Sequence, residues 1–276
     1  MLLGSHLRRL REARGITREA AGYSIRASES KISRMELGRV SFKTRDVEDL
    51  LTLYGVNDEA ERNALLSLAR EANVAGWWHS YSDVLPNWFP TYVGLEGAAS
   101  LIRAYEVQFV HGLLQTAAYA RAVVERGMKG ASPADIERRV ALRMERQKYL
   151  LSASTGGPEF HVVLDEAALR RPYGDREVMR GQLQHLIEIS ERPNVRLQIM
   201  PFGFGGHSGE SGAFTILSFP ESDLSDVIFL EQLTSALYLD KAEDVNQYEK
   251  AMKELQQDSP GPDESRDLLR GLLQLS

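Results

Sequence analysis

The sequence predicts an all-α N-terminal domain of five helices followed by an α+β C-terminal domain, a helical half and then a mixed α/β half. Three observations carry this. The chain has 276 residues, above the roughly 100–200 usual for one domain. Through residues 1–70 apolar side chains recur at helical spacing and no β pattern intervenes. Strand-type alternation begins only at Phe160. The expected division is 1–72, an aromatic-rich connector over 73–95, and 96–276.

Each element has its own signal. Leu3, Leu7 and Leu10 form one stripe of a first helix, ended by Gly15. Thr17 can cap a second helix, Arg18–Tyr23, and Ser28 a third, Glu29–Leu37, whose Ile32 and Met35 face inward before Gly38 stops it. Thr44 can cap a fourth with the stripe Val47, Leu50, Leu51 and Tyr54, stopped by Gly55. Asp58 with Glu61 is a capping-box-like start for a fifth, through Ala72. The connector holds Trp77, Trp78 and Trp88 with Tyr81, Phe89 and Tyr92, so it is expected to pack rather than hang free. From Glu96 the pattern reads helical to about Leu151, with a helix start at Ser132-Pro133-Ala134-Asp135. Then Phe160, Val162 and Leu164 alternate with polar or exposed positions, as do Val195, Leu197 and Ile199. Phe214–Phe219 and Val227–Leu230 have strand length and composition. Asp175–Ser190, Ala242–Leu255 and Ser265–Leu275 read as helices.

Charge is divided unevenly. Residues 1–45 carry eleven Lys and Arg against four acids, a net +7, while the remainder carries 22 bases and 35 acids, a net −13. A basic segment on an acidic body confines any polyanion contact to that segment. The composition, 43% hydrophobic and 26% charged, excludes disorder. The absence of cysteine excludes disulfides and thiolate chemistry. No apolar run approaches the roughly 20 residues of a membrane span, and arginines occupy the place of a signal peptide's apolar region. The expected location is the cytoplasm.

Within the basic segment, a helix, a turn of about four residues and a second helix have the geometry that sets the second helix in the DNA major groove. With Ile32 and Met35 inward, Ser28, Glu29, Ser30, Lys31 and Arg34 are the candidate base-edge residues. Lys and Arg donate to guanine, Glu accepts from cytosine N4, and Ser does either. Thr17, Arg18, Arg26, Ser33, Arg39, Lys43 and Arg45 are the candidate phosphate contacts, lying near helix ends, in loops or along the groove edge.

The residues Gly15-Ile16-Thr17-Arg18-Glu19, Ser28, Lys31-Ile32-Ser33-Arg34-Met35-Glu36 and Gly38-Arg39 resemble the Xre/Cro type of helix-turn-helix. The usual turn glycine of that pattern falls at Arg26, and its small residue in the preceding helix is Gly22. The rest of the chain resembles the C-terminal domain of actinobacterial, antitoxin-like Xre regulators related to WhiJ. Leu95-Glu96, Tyr105–Val110, Gly112-Leu113-Leu114-Gln115-Thr116, Tyr119–Ala122, Arg143, Arg146-Gln147, Leu164–Arg170, Gln182-Leu183, Leu186 and Ile199-Met200-Pro201 carry the likeness. His111 stands where that family usually has proline. The resemblance implies a transcriptional regulator on double-stranded DNA, often encoded beside a small companion protein that binds the C-terminal domain. It supplies no catalytic residues.

Other candidates have plainer readings. No histidine pair has metal-ligand spacing; His161 with Asp165 and Glu166 is read as a hydrogen-bonded strand-end histidine. Gly203–Gly212 lacks a P-loop lysine and leads to a strand, so it reads as a mobile loop over a pocket or interface. Ser208 or Ser211 as a nucleophile has only His207 in support. The stripe Arg138, Arg139, Arg143, Arg146 and Lys148 reads as a solvated basic helix face with ion pairs to the acidic body. The expectation is a sequence-specific DNA-binding regulator acting as a homodimer, without metal, cofactor or catalytic activity. The alternative is an antitoxin-like protein that sequesters a small companion and autoregulates.

Overall fold

The computed structural model describes residues 2–36, 38, 40–73, 76–151, 157–220 and 224–275. The chain divides into two compact units, Met1–His79 and Ser80–Ser276.

The first unit is built from α1 (Leu2–Ala13), α2 (Arg18–Ser24), α3 (Glu29–Glu36), α4 (Thr44–Leu53) and α5 (Glu59–Ala72). The stripes read from the sequence meet in one core: Leu3 and Leu7, Ala21, Ile32 and Met35, Val47, Leu50 and Leu51, and Leu65, with Leu10 packed against it. Each large aliphatic side chain buried there contributes about 1.5–3 kcal/mol. After α1, Ile16 N donates to Arg11 O and Gly15 N to Glu12 O; after α4, Val56 N donates to Leu51 O and Gly55 N to Thr52 O. Gly15 and Gly55 have φ of 64° and 72°, the left-handed conformation in which a Cβ is costly. Asp58 caps α5 through a bond from Glu61 N, 2.8 Å. Thr44 does not cap α4. The cap needs extended dihedrals, and Lys43 has them (φ −68°, ψ 126°), which places Thr44 inside the first turn. Leu37, the expected last residue of the third helix, lies outside the described residues.

The second unit runs α6 (Phe89–Ala98), β1 (Leu101–Glu106), α7 (Ala117–Gly127), α8 (Pro133–Leu151), β2 (Glu159–Asp165), α9 (Glu166–Arg170), α10 (Arg176–Ile189), β3 (Val195–Met200), β4 (Phe214–Ser218), β5 (Val227–Glu231), β6 (Ala236–Leu239), α11 (Ala242–Asp258) and α12 (Pro262–Leu275). Its mixed sheet has the order β3-β2-β1-β4-β5-β6. The first three neighbours pair in parallel and the rest antiparallel. One face packs Tyr105, Val163, Met200, Phe214, Ile216 and Ile228 onto Val245, Met252 and Leu255 of α11. On the other, Phe229 meets Tyr92 of α6 (ring centroids 4.2 Å) and Phe160 meets His111 (5.0 Å). The aromatic segment is therefore partly core: Tyr92 is buried, while Trp77 is 46% exposed.

Three expectations are corrected. The stretch from Glu96 to Leu151 is not wholly helical, because Leu101–Glu106 is an interior strand of the sheet, with Ala104 opposite both Val162 and Thr215. Six residues do not reveal a period, and pairing on both sides decides the conformation. In β2, Val163 is as buried as Phe160, Val162 and Leu164, since a parallel strand is covered on both faces. The α8 stripe is a solvated, ion-paired face only in part: Arg138 pairs with Asp83 and Lys148 with Glu145 at the surface, while Arg143 and Arg146 turn inward. Arg146 is buried and holds Glu96 by two bonds of 2.7 and 2.6 Å, beneath a cation–π contact with Phe89. Arg143 donates to Gln115 Oε1 at 2.8 Å. The predicted start of α8 holds, with Asp135 N on Ser132 Oγ.

Burial pushes the Glu106 carboxyl up to about 8, helped by Glu231 and opposed by Arg143. Below the ordinary glutamate value both folded and unfolded chains keep that proton. Between there and about 8 only the folded chain keeps it, so stability falls as pH rises and levels off above. Glu106→Gln removes this loss. Its melting temperature relative to the parent is expected to move in the variant's favour between pH 5 and pH 9, by scanning calorimetry. A pH-independent difference would contradict the burial.

Candidate nucleic-acid interface

The α2-turn-α3 segment is built from local hydrogen bonds. Thr17 Oγ1 accepts from Ala20 N at 3.1 Å and opens α2. At its end Ala27 N donates to Gly22 O (2.8 Å) and Arg26 N to Tyr23 O (3.1 Å), the closure used after α1 and α4. Here Arg26 occupies the glycine position, at φ 54°. An L side chain in that region costs about 1–2 kcal/mol. Gly22 is required by proximity, since a Cβ on it would lie 2.7 Å from Ala27 O. Ser28 Oγ then accepts from Lys31 N at 3.2 Å and starts α3.

α3 buries Ile32 and Met35 as expected, and Ser28, Glu29, Ser30 and Arg34 are exposed, with Ser33 half-buried. Arg34 Nε rests on Ser30 O at 3.2 Å. Lys31 is different: its Nζ lies 2.5 Å from Asp46 Oδ2 on α4. Of the candidate phosphate contacts, Thr17, Arg26, Lys43 and Arg45 are exposed. Arg39 lies outside the described residues. Arg18 is committed within the unit, its Nε 2.9 Å from Glu36 Oε2.

Glu36 is the residue that sequence reasoning missed. Its carboxylate is buried, 2% exposed at the side chain. It accepts from Arg11 Nε (2.5 Å) and Nη2 (3.2 Å) as well as from Arg18. Arg11 Nη1 also reaches Ile16 O at 2.8 Å. The hydrogen bond to Glu36 holds the Arg11 guanidinium above its ordinary value. One carboxylate thus ties α1, α2 and the end of α3. The partners stand 25 and 18 residues away, beyond any helical spacing that would announce them.

The residues of the alternative sites have the following partners. His161 Nε2 faces Glu159 at 3.4 Å, not Asp165 or Glu166. Asp165 caps α9 and faces Tyr105 OH (3.3 Å) and His207 Nε2 (3.4 Å). Glu166 takes Phe202 N at 2.9 Å and Arg170. Ser208 Oγ hydrogen-bonds Glu254, and His207 Nδ1 accepts from Gly209 N, so these two neighbours form no nucleophile–base pair. The loop is anchored through His207 at the C-terminal ends of β1 and β2.

Two family models match. Residues 2–65 match a helix-turn-helix domain, and residues 89–271 match a domain of unknown function, DUF5753. No curated protein and no solved structure matches the chain.

Two outcomes follow for this segment. Glu36→Gln leaves the buried Arg11 with only the partly exposed Glu12 as counter-charge, 3.3 Å away, and is expected to cost about 3 kcal/mol, read from urea unfolding of the intact chain. Arg26→Gly relieves the left-handed strain and is expected to gain about 1 kcal/mol, whereas Arg26→Ala keeps the strain and gains nothing. Equal unfolding midpoints for the two Arg26 variants would refute the turn geometry.

Proposed function

This chain belongs to the DUF5753 family and is a helix-turn-helix DNA-binding regulator, and we propose that it controls transcription by laying α3 in the major groove of a specific duplex. The observation that carries this reading is the open outer side of α3 and its cap, where Ser28, Glu29, Ser30 and, in the last turn, Arg34 present donors and acceptors to solvent. Arg26, Lys43 and Arg45 flank them as exposed cations for the phosphates, with Thr17 at the start of α2. A segment of net +7 attracts the duplex, and a remainder of −13 is held off it.

We further propose a homodimer, because one such module meets few base pairs and two half-sites one helical turn apart give usable specificity. The second unit is proposed to sense a partner protein or ligand, in the manner of WhiJ-related Xre regulators in the cytoplasm, with no catalytic role. The exposed apolar side chains Phe202, Phe204 and Leu233 support a protein partner. An antitoxin-like arrangement, in which a small companion is sequestered and DNA binding serves autoregulation, uses the same surfaces. Co-purification of a stable complex with a small neighbouring gene product distinguishes it.

The test uses a duplex selected from a randomised library and an unrelated duplex of the same length, by fluorescence anisotropy across salt. Arg34→Ala is expected to cost roughly 1–3 kcal/mol on the selected duplex only, relaxing preference at one base pair. Arg45→Ala is expected to weaken both duplexes alike and to flatten the salt slope by about 1. Equal loss on both duplexes for Arg34→Ala would show that α3 does not read bases.

A further inference from the structure

Lys31 occupies a base-edge position of α3, yet its ammonium is already taken. Nζ lies 2.5 Å from Asp46 Oδ2, with the lysine side chain 29% exposed and the aspartate 14%. Asp46 sits in the first turn of α4, next to the exposed cation Arg45 and close to Lys43. An anion in that place is unfavourable for meeting phosphates unless a cation covers it. Lys31 covers it, and in doing so is withheld from the duplex. An ammonium in a half-buried ion pair leaves only for an acceptor set that replaces the carboxylate. The paired O6 and N7 of a guanine in the right place offer such a set. A lone, solvated phosphate offers less.

We propose that Asp46 is a specificity-determining residue that acts through Lys31: it holds the lysine off non-cognate DNA and yields it only at a matching base edge. This inference rests on the reading of α3 as the recognition helix. Its consequence is that non-specific binding recruits one cation fewer than the exposed charge of the segment allows. The ratio of specific to non-specific affinity is wider for it.

The experiment measures binding of the intact chain, Asp46→Asn, Lys31→Ala, the double variant and Asp49→Asn to the selected and unrelated duplexes across salt. Asp49 is exposed on the same helix and controls for a simple change of charge. Thermal unfolding of each variant confirms the fold. Asp46→Asn is expected to raise affinity for the unrelated duplex roughly threefold to tenfold near 0.1 M salt and to steepen its salt slope by about 0.9, one further phosphate contact. The gain is expected to disappear in the Lys31→Ala background and to be absent in Asp49→Asn. Three results overturn the inference: Asp46→Asn leaves the unrelated duplex unchanged, it weakens only the selected duplex, or the gain persists without Lys31. Absence of binding by the unsubstituted chain to either duplex overturns the reading of α3 itself, and this inference with it.

Discussion

The buried carboxylate of Glu36 is the constraint on which the first unit depends. A charge removed from water is costly unless its partners come with it, and Glu36 brings two, Arg11 from α1 and Arg18 from α2. The three helices are then not free to slide. α3 is fixed at its C-terminal end by this clamp, along its length by Ile32 and Met35 in the core, and at its start by the Ser28 cap. Its outer side, with Ser28, Glu29, Ser30 and Arg34, is left exposed. Gly4 completes the arrangement: a Cβ there would lie 2.4 Å from Met35 O, so α1 runs against the end of α3 at backbone distance.

The same logic separates structural arginines from available ones. Arg11 and Arg18 look as cationic in the sequence as Arg26, Arg34 and Arg45, but the first two are spent on Glu36. Arg26 is exposed and stands at the left-handed position of the turn, where its backbone is strained. Lys31 is intermediate, paired yet close to solvent. A count of positive charges therefore overstates the cationic surface that this unit leaves exposed.

In the second unit the parallel trio β1, β2 and β3 is buried on both faces and its outer edge is covered, Ile199 N being capped by Ser265 Oγ of α12. One group of polar side chains gathers at the C-terminal ends of two parallel strands: Glu106 and Asp165 terminate β1 and β2, and Tyr105 and His207 meet Asp165 there. Arg146 of α8 pairs with Glu96 of α6 in the interior, so one member of a stripe that reads as basic surface forms a buried ion pair.

Local interactions were written in the residue order. The stripes of the N-terminal helices, the glycines at positions 15 and 55, the capping by Thr17, Ser28, Asp58 and Ser132, and the change of period at Phe160 are each settled within a few residues, where backbone sterics and helix geometry act. Tertiary structure alone decided the strand at Leu101–Glu106, the double-sided burial of Val163, the inward turn of Arg143 and Arg146, the clamp on Glu36 and the capture of Lys31 by Asp46. Those depend on partners distant in sequence. A charge or a short apolar run has no preferred neighbour until the chain has folded and brought one within reach.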